Sequence, residues 1–130
     1  GRIKDMFKTS KGKYIEPGVL EAYFGDVNEF AQLCVVGLGC DQPLLLAVPS
    51  ENAIKNKEIT NSKISEILNK VNSNLDNYKK MPKVVFVKED WLPENGMTTP
   101  TLKIKRSKID EKFSNQYNNW LKSSEDVIWE

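Results

Sequence analysis

Histidine is absent from the chain. Its absence removes imidazole acid–base chemistry and the commonest metal ligand. Cysteine occurs only twice, as Cys34 and Cys40 beside apolar runs, without the CxxC spacing of a zinc or redox site. No residue is therefore predicted to ligate a metal. Reduced, buried thiols and a cytoplasmic location are the expectation. No apolar run approaches the length of a membrane span. Large net charge is missing too: 19 Lys and Arg stand against 18 Asp and Glu, for a net of +1. A chain so nearly neutral is not predicted to bind nucleic acid through a general electrostatic footprint.

The basic residues that are present are unevenly placed. Arg2, Lys4, Lys8, Lys11 and Lys13 face only Asp5 within the first 13 positions, and a second basic cluster runs from Lys103 to Lys112. Two separated clusters on a neutral chain suggest local anion sites. At 130 residues the chain can build one domain around one core. "GRIKDMFK" is dense from its second residue, which suggests a piece taken from a longer chain close to a domain boundary.

Periodicity supplies the elements. "EPGVLEAYFGD" predicts a short helix with Pro17 in its first turn, Val19, Leu20, Tyr23 and Phe24 on one face, and Gly25 as its cap. "FAQLCVVGL" and "PLLLAVP" read as a hairpin of strands covered on both faces. Residues 51–60 read as polar loop. A helix is expected from Ser62 to the stop at Pro82, with Ile64, Ile67, Leu68, Val71, Leu75 and Tyr78 as its core stripe. "KVVFVKED" predicts a third strand, and "WLPENGMTTP" an exposed loop. The last helix is placed near Ser107 by a capping-box pattern, Ser107-x-x-Asp110. Its stripe is Ile109, Phe113, Tyr117, Trp120 and Leu121. The last eight residues, "SSEDVIWE", are too short to assign. The sum is an α+β domain with a small mixed sheet, an antiparallel hairpin and about three packed helices. There is no internal repeat.

"TTPTLKIKR" raises a question about Lys103. It sets Lys103, Lys105 and Arg106 within four positions, with Ile104 between the lysines. Extended backbone with this alternation turns Ile104 inward and both lysines outward. From spacing alone such lysines read as solvated surface.

Two motifs alter that reading. "GRIKDMFKTSKGKYIEPGVLE" resembles the hinge motif of the adenylate-forming enzymes, the superfamily of acyl-CoA synthetases, nonribosomal peptide synthetase adenylation domains and luciferase. Gly1, Arg2, Lys4, Asp5, Lys8, Gly12, Ile15, Pro17 and Glu21 fit its pattern. "ENGMTTPTLKIKR" resembles the superfamily's last motif in its long-chain fatty acid form. Other branches place Ser-Gly before the lysine, where Thr101 and Leu102 stand here. Residues 51–80 are the least similar, and nothing is carried over from them.

The resemblance implies a single domain over residues 1–130, with residues 1–8 as a hinge segment. It implies the mobile C-terminal domain of a long-chain fatty acid–CoA ligase, without the large N-terminal domain that holds most of the nucleotide and acyl sites. Lys103 aligns with the lysine that assists acyl adenylation. Lys4 aligns with the hinge, and Arg2 with a nucleotide-binding position. Lys8, Gly12 and Tyr14 align with the strand and turn facing the pantetheine arm of CoA. Lys105 and Arg106 are supporting candidates. ATP with Mg2+, a fatty acid and CoA are the implied cofactors and substrates, bound mainly by the N-terminal domain, which is the implied partner. Peripheral membrane association of a full enzyme is part of the same expectation, and so is inactivity of the fragment alone. Three alternatives stay open. The acyl acceptor is a carrier protein instead of CoA. The chain is a small module binding RNA or anionic lipid. Or it is a structural or regulatory domain without a catalytic lysine.

Overall fold

Four short strands form the central sheet of the computed structural model, which describes residues 5–130. Ahead of them lies a small two-stranded hairpin, β1 (Phe7–Lys8) and β2 (Tyr14–Ile15), then helix α1 (Pro17–Ala22). Strands β3 (Phe30–Val36) and β4 (Leu44–Pro49) pair antiparallel, with Val35 opposite Leu45. Helices α2 (Glu51–Lys55) and α3 (Lys57–Asn72) lead through a single 3-10 turn at Asn77–Lys79 to β5 (Val84–Phe86). Helix α4 (Arg106–Lys122) leads to β6 (Val127–Trp129). The sheet order is β3-β4-β5-β6, with β4, β5 and β6 mutually parallel. This is the mixed α+β architecture with an antiparallel hairpin that the sequence predicts, with α2 as an additional helix.

The continuous apolar runs make sense once both sheet faces are covered. Leu45, Ala47, Val84 and Phe86 turn to one face, where α1 and the turn after it, the β1–β2 hairpin and α3 deliver Leu20, Phe24, Phe7, Ile15, Ile64 and Leu68. Leu44, Leu46, Val48 and Val85 turn to the other face, against Ile109, Phe113 and Tyr117 of α4. Strand β4 is buried from Leu44 to Val48. Cys34 and Cys40 are both free and buried, as the apolar surroundings suggest. Burial pushes the Cys34 thiol up to about 12, so it stays protonated and non-nucleophilic near neutrality.

Several boundaries depart from the periodic reading. Residues 51–60 hold α2 and the first turn of α3, separated at Asn56; α2 forms because the Ser50 hydroxyl accepts the Ala53 amide as an N-cap and Glu51 and Lys55 complement the dipole. Helix α3 starts at Lys57 and ends at Asn72, well short of Pro82. Leu75 and Tyr78 still pack against the core, from the turns that follow. Of the α1 stripe only Leu20 and Phe24 are buried; Val19 and Tyr23 are half exposed. Tyr23, and not Gly25, is the C-cap residue. The third strand is only Val84–Phe86. The "exposed" loop after it buries Trp91, Met97 and Thr98, because the Gln32 amide donates to the Trp91 carbonyl at 2.9 Å and accepts the Trp91 N–H at 2.9 Å. Helix α4 begins at Arg106 with Lys105 as N-cap and no side-chain cap. Asp110, assigned to a capping box, instead accepts the Tyr117 hydroxyl at 2.7 Å. The unassigned tail supplies β6.

Asn72 closes the α3 end. Its side chain accepts the Met81 N–H at 2.8 Å and donates to the Met81 carbonyl at 2.7 Å, fixing the chain just before β5. Met81 is fully buried, so its amide has no water to turn to. Asn72→Ala is expected to destabilise the fold by about 1–3 kcal/mol, read as a lowered urea midpoint.

Candidate functional site

The lysine-bearing motif is a miniature hairpin. Lys105 N–H donates to the Met97 carbonyl at 2.8 Å, Thr98 bridges Ile104 antiparallel, and Thr99 N–H donates to the Lys103 carbonyl at 2.8 Å. Between them, Pro100 and Thr101 occupy the centre of a turn closed by Leu102 N–H to the Thr99 carbonyl at 2.8 Å. Leu102 follows with φ of 67°. This is a three-residue hairpin loop, a turn followed by a left-handed bulge residue. Glycine takes that backbone freely; for a leucine it carries strain of about 1–2 kcal/mol. Leu102 is 64% exposed, so its side chain recovers little through internal packing.

Lys103 is the first residue past the bulge. Ile104 is half-buried while Lys103 and Lys105 are exposed, which is the alternation read from the sequence. Among the described residues the Lys103 side chain has neither an ion pair nor a hydrogen bond. Lys105 is likewise unpaired, and its carbonyl accepts the Lys108 and Ile109 amides as α4 begins.

Arg106 behaves differently. Its Nε donates to the Val35 carbonyl at 3.0 Å and its guanidinium pairs with Glu21 at 2.7 Å. The same Glu21 oxygen accepts the Val35 N–H at 2.8 Å. Strand β3 lies at the border of the sheet, so the outward amide and carbonyl of Val35 have no neighbouring strand. The two side chains stand in for one, and in doing so fasten α1 and the first turn of α4 to β3. Arg106 is thus a fixed support for the Lys103 turn. Glu21, its partner, was visible in the sequence only as the last residue of the hinge motif.

The other candidates collect on the β1–β2 hairpin. Phe7 opposes Ile15 and Lys8 opposes Tyr14. The Lys8 ammonium lies 5.1 Å from the centre of the Tyr14 ring, and Tyr14 is 57% exposed. Gly12 has φ of 78°, and a Cβ there would meet nothing within 4 Å. Within this chain glycine is therefore required by the turn's backbone, while the space above it is open. The hairpin is pinned to the β3–β4 turn by Gly39 N–H to the Lys8 carbonyl and Ser10 N–H to the Cys40 carbonyl, both at 2.9 Å. Arg2 and Lys4 lie outside the described residues.

A shallow groove joins the two regions. Asp5, Met6 and Phe7 form one wall and Ile104, Arg106 and Asp110 the other. Burial raises the Asp110 carboxyl above its usual range, while the Tyr117 hydroxyl bond and Arg106 pull it back. The structure therefore brings the start of the first motif against the base of the second. Chemically, it offers two ammonium groups, Lys103 and Lys105, without a partner among the described residues on one braced turn, and an exposed aromatic–lysine hairpin. Glu21→Ala is expected to destabilise the domain by about 2 kcal/mol, since it strands the Val35 amide and leaves Arg106 without its anion; urea unfolding reads the loss.

Comparison with known proteins bears on the family and the fold. The family described as AMP-binding enzyme C-terminal domain matches residues 4–125. Long chain acyl-CoA synthetase 8 of Arabidopsis thaliana is 27% identical over 88% of this chain and 19% of its own length. Long-chain-fatty-acid–CoA ligase 3 of Saccharomyces cerevisiae is 27% identical over 83% of this chain and 19% of its own length. The chain thus spans about a fifth of the length of these curated relatives. Among solved structures, the A-PCP didomain of carboxylic acid reductase from Segniliparus rugosus, in complex with AMP, superposes with a TM-score of 0.74 at 22% identity, covering 91% of this chain and 17% of that one. The adenylation domain of a carboxylate reductase from Mycobacterium chelonae gives 0.75 at 19% identity, over 94% and 20%. At those identities the superpositions speak for the fold, and the fold, the two motifs and the family match agree: the chain belongs to the AMP-binding enzyme C-terminal domain family, the C-terminal domain of adenylate-forming enzymes.

Proposed function

We propose that this domain serves a long-chain fatty acid–CoA ligase and lends Lys103 to acyl adenylation. The observation that carries the reading is the state of Lys103: an exposed ammonium with no partner among the described residues, on a turn whose backbone is held by hydrogen bonds at both ends. In the reaction envisaged, a fatty acid carboxylate oxygen attacks the α-phosphorus of ATP. A bond to the phosphorus forms as the bond to pyrophosphate breaks, and pyrophosphate leaves. An anion is thus brought to an anion. A positioned cation near both lowers the barrier by stabilising charge as it develops and by fixing the line of attack. Lysine suits this task as a compact charge on a long stem.

The second step transfers the acyl group from AMP to the sulfur of CoA, and AMP departs. The β1–β2 hairpin is assigned to that step. Its open space over Gly12 admits a slim pantetheine arm, with Lys8 and Tyr14 alongside. Lys4 is proposed as the residue whose torsions change when the domain turns between the two steps, and Arg2 as a nucleotide contact. ATP with its magnesium and the fatty acid are supplied from the N-terminal domain in this reading.

Lys103→Ala in the full-length enzyme is expected to slow adenylation by about a hundredfold or more. Acid-dependent exchange of pyrophosphate into ATP measures this step. Thioester formation from supplied acyl-adenylate is expected to fall far less, and equal losses in both steps would refute the assignment. Lys4→Pro is expected to show the opposite preference, because proline fixes φ near −65° and stiffens a hinge. Separate assays of the two half-reactions would show thioester formation slowed more than adenylation.

A further inference from the structure

The turn before Lys103 carries a bonding defect and its repair. In a regular antiparallel hairpin the residues that close the loop exchange two hydrogen bonds. Here Thr99 N–H donates to the Lys103 carbonyl at 2.8 Å, but the return bond is missing. The turn through Pro100 and Thr101 points the Leu102 amide at the Thr99 carbonyl, at 2.8 Å, and so occupies the acceptor that Lys103 N–H would have used; the left-handed backbone of Leu102 then sets the direction of the Lys103 amide. The Lys103 amide is served instead by the Thr99 hydroxyl, at 3.1 Å. That hydroxyl also lies 3.1 Å from the hydroxyl of Thr101. An arrangement in which the Thr99 oxygen accepts from Lys103 while its proton goes to Thr101 satisfies all three groups.

We propose that Thr99 is a positioning residue for Lys103: its hydroxyl supplies the acceptor that the bulge at Leu102 takes away, so the lysine backbone is held at both its amide and its carbonyl. The inference rests on the reading of Lys103 as the adenylation lysine. A long flexible side chain delivers its charge to one place only if its Cα is fixed, and the bulge would leave one side of that residue loose. Thr99 closes it. A strained non-glycine residue directly before a functional group is where such a device is expected, because unfavourable backbone geometry persists where neighbouring bonds over-determine it.

The test uses the full-length enzyme and substitutions that separate the hydroxyl from the shape of the side chain. Thr99→Val keeps the β-branch and removes the acceptor; Thr99→Ser keeps the acceptor. Thr99→Val is expected to lower kcat for pyrophosphate exchange by about tenfold, with KM for ATP and acid little changed, since misplacement of a reacting group acts on the transition state more than on binding. Thr99→Ser is expected to restore most of the rate. Combining Thr99→Val with Lys103→Ala is expected to add no loss beyond Lys103→Ala alone, as for two residues acting through one group. That comparison holds even where the valine variant is less stable, because a general folding defect would add to the lysine loss. A valine variant with wild-type kcat, a serine variant as slow as valine, or additive losses in the double variant would each overturn the proposal. If Lys103→Ala itself left pyrophosphate exchange intact, the reading of Lys103 would fall first and the role of Thr99 with it. An impaired Lys103→Ala beside an unimpaired Thr99→Val would sink the Thr99 proposal alone.

Discussion

The three-way bond among Glu21, Arg106 and Val35 fastens three elements of this domain together. Each partner comes from a different element: α1, the start of α4, and the border strand β3. Without it the sheet would end in an unpaired amide and carbonyl, and α4 would meet β3 through apolar packing alone. With it, Lys103 lies three residues from an anchored guanidinium. The pair is about one-fifth exposed on each side, so it is screened by water less than a surface ion pair and is reinforced by its backbone bonds.

Both candidate regions are fastened to the β3–β4 hairpin. The β1–β2 hairpin hangs on the β3–β4 turn through Gly39 and Cys40, and the Lys103 turn is braced through Arg106 on β3. They are therefore parts of one block with one core on each sheet face. In the proposed reading, exchanging one tool for the other means turning that block about its hinge, with little internal rearrangement.

The sequence disclosed the layers well. The unbroken apolar run "LLLAV" and the stripes of α3 and α4 gave the two covered faces, because a strand buried on both sides has no polar position and a helix buried on one side leaves a periodic trace. The motif around Lys103 also yielded its exposure pattern, although a bridge stands where extended strand was expected. What stayed hidden has a common physical character. Gln32 draws in Trp91, Asn72 captures Met81, Glu21 meets Val35, and Thr99 serves Lys103. In each case a side chain satisfies a main-chain group outside any ladder. Three of the four pairs are distant or out of register in sequence, and none has a period. Helix α2 and the first turn of α3 are hidden for a related reason: their polar surface gives no stripe, and the start of α2 depends on a serine that reads as loop until the amide it accepts is known.

Lys83 gives α4 a second fastening. Its buried Nζ donates to the Ser123 carbonyl at 2.6 Å and the Glu125 carbonyl at 2.7 Å, just past the helix end. Arg106 secures the opposite end, so the helix is a strut pinned at both tips. Sliding by one turn, about 5.4 Å along the axis, would rupture both pins together. Axial ratcheting, one of the ways in which proteins relay motion between distant parts, is thereby closed to this helix.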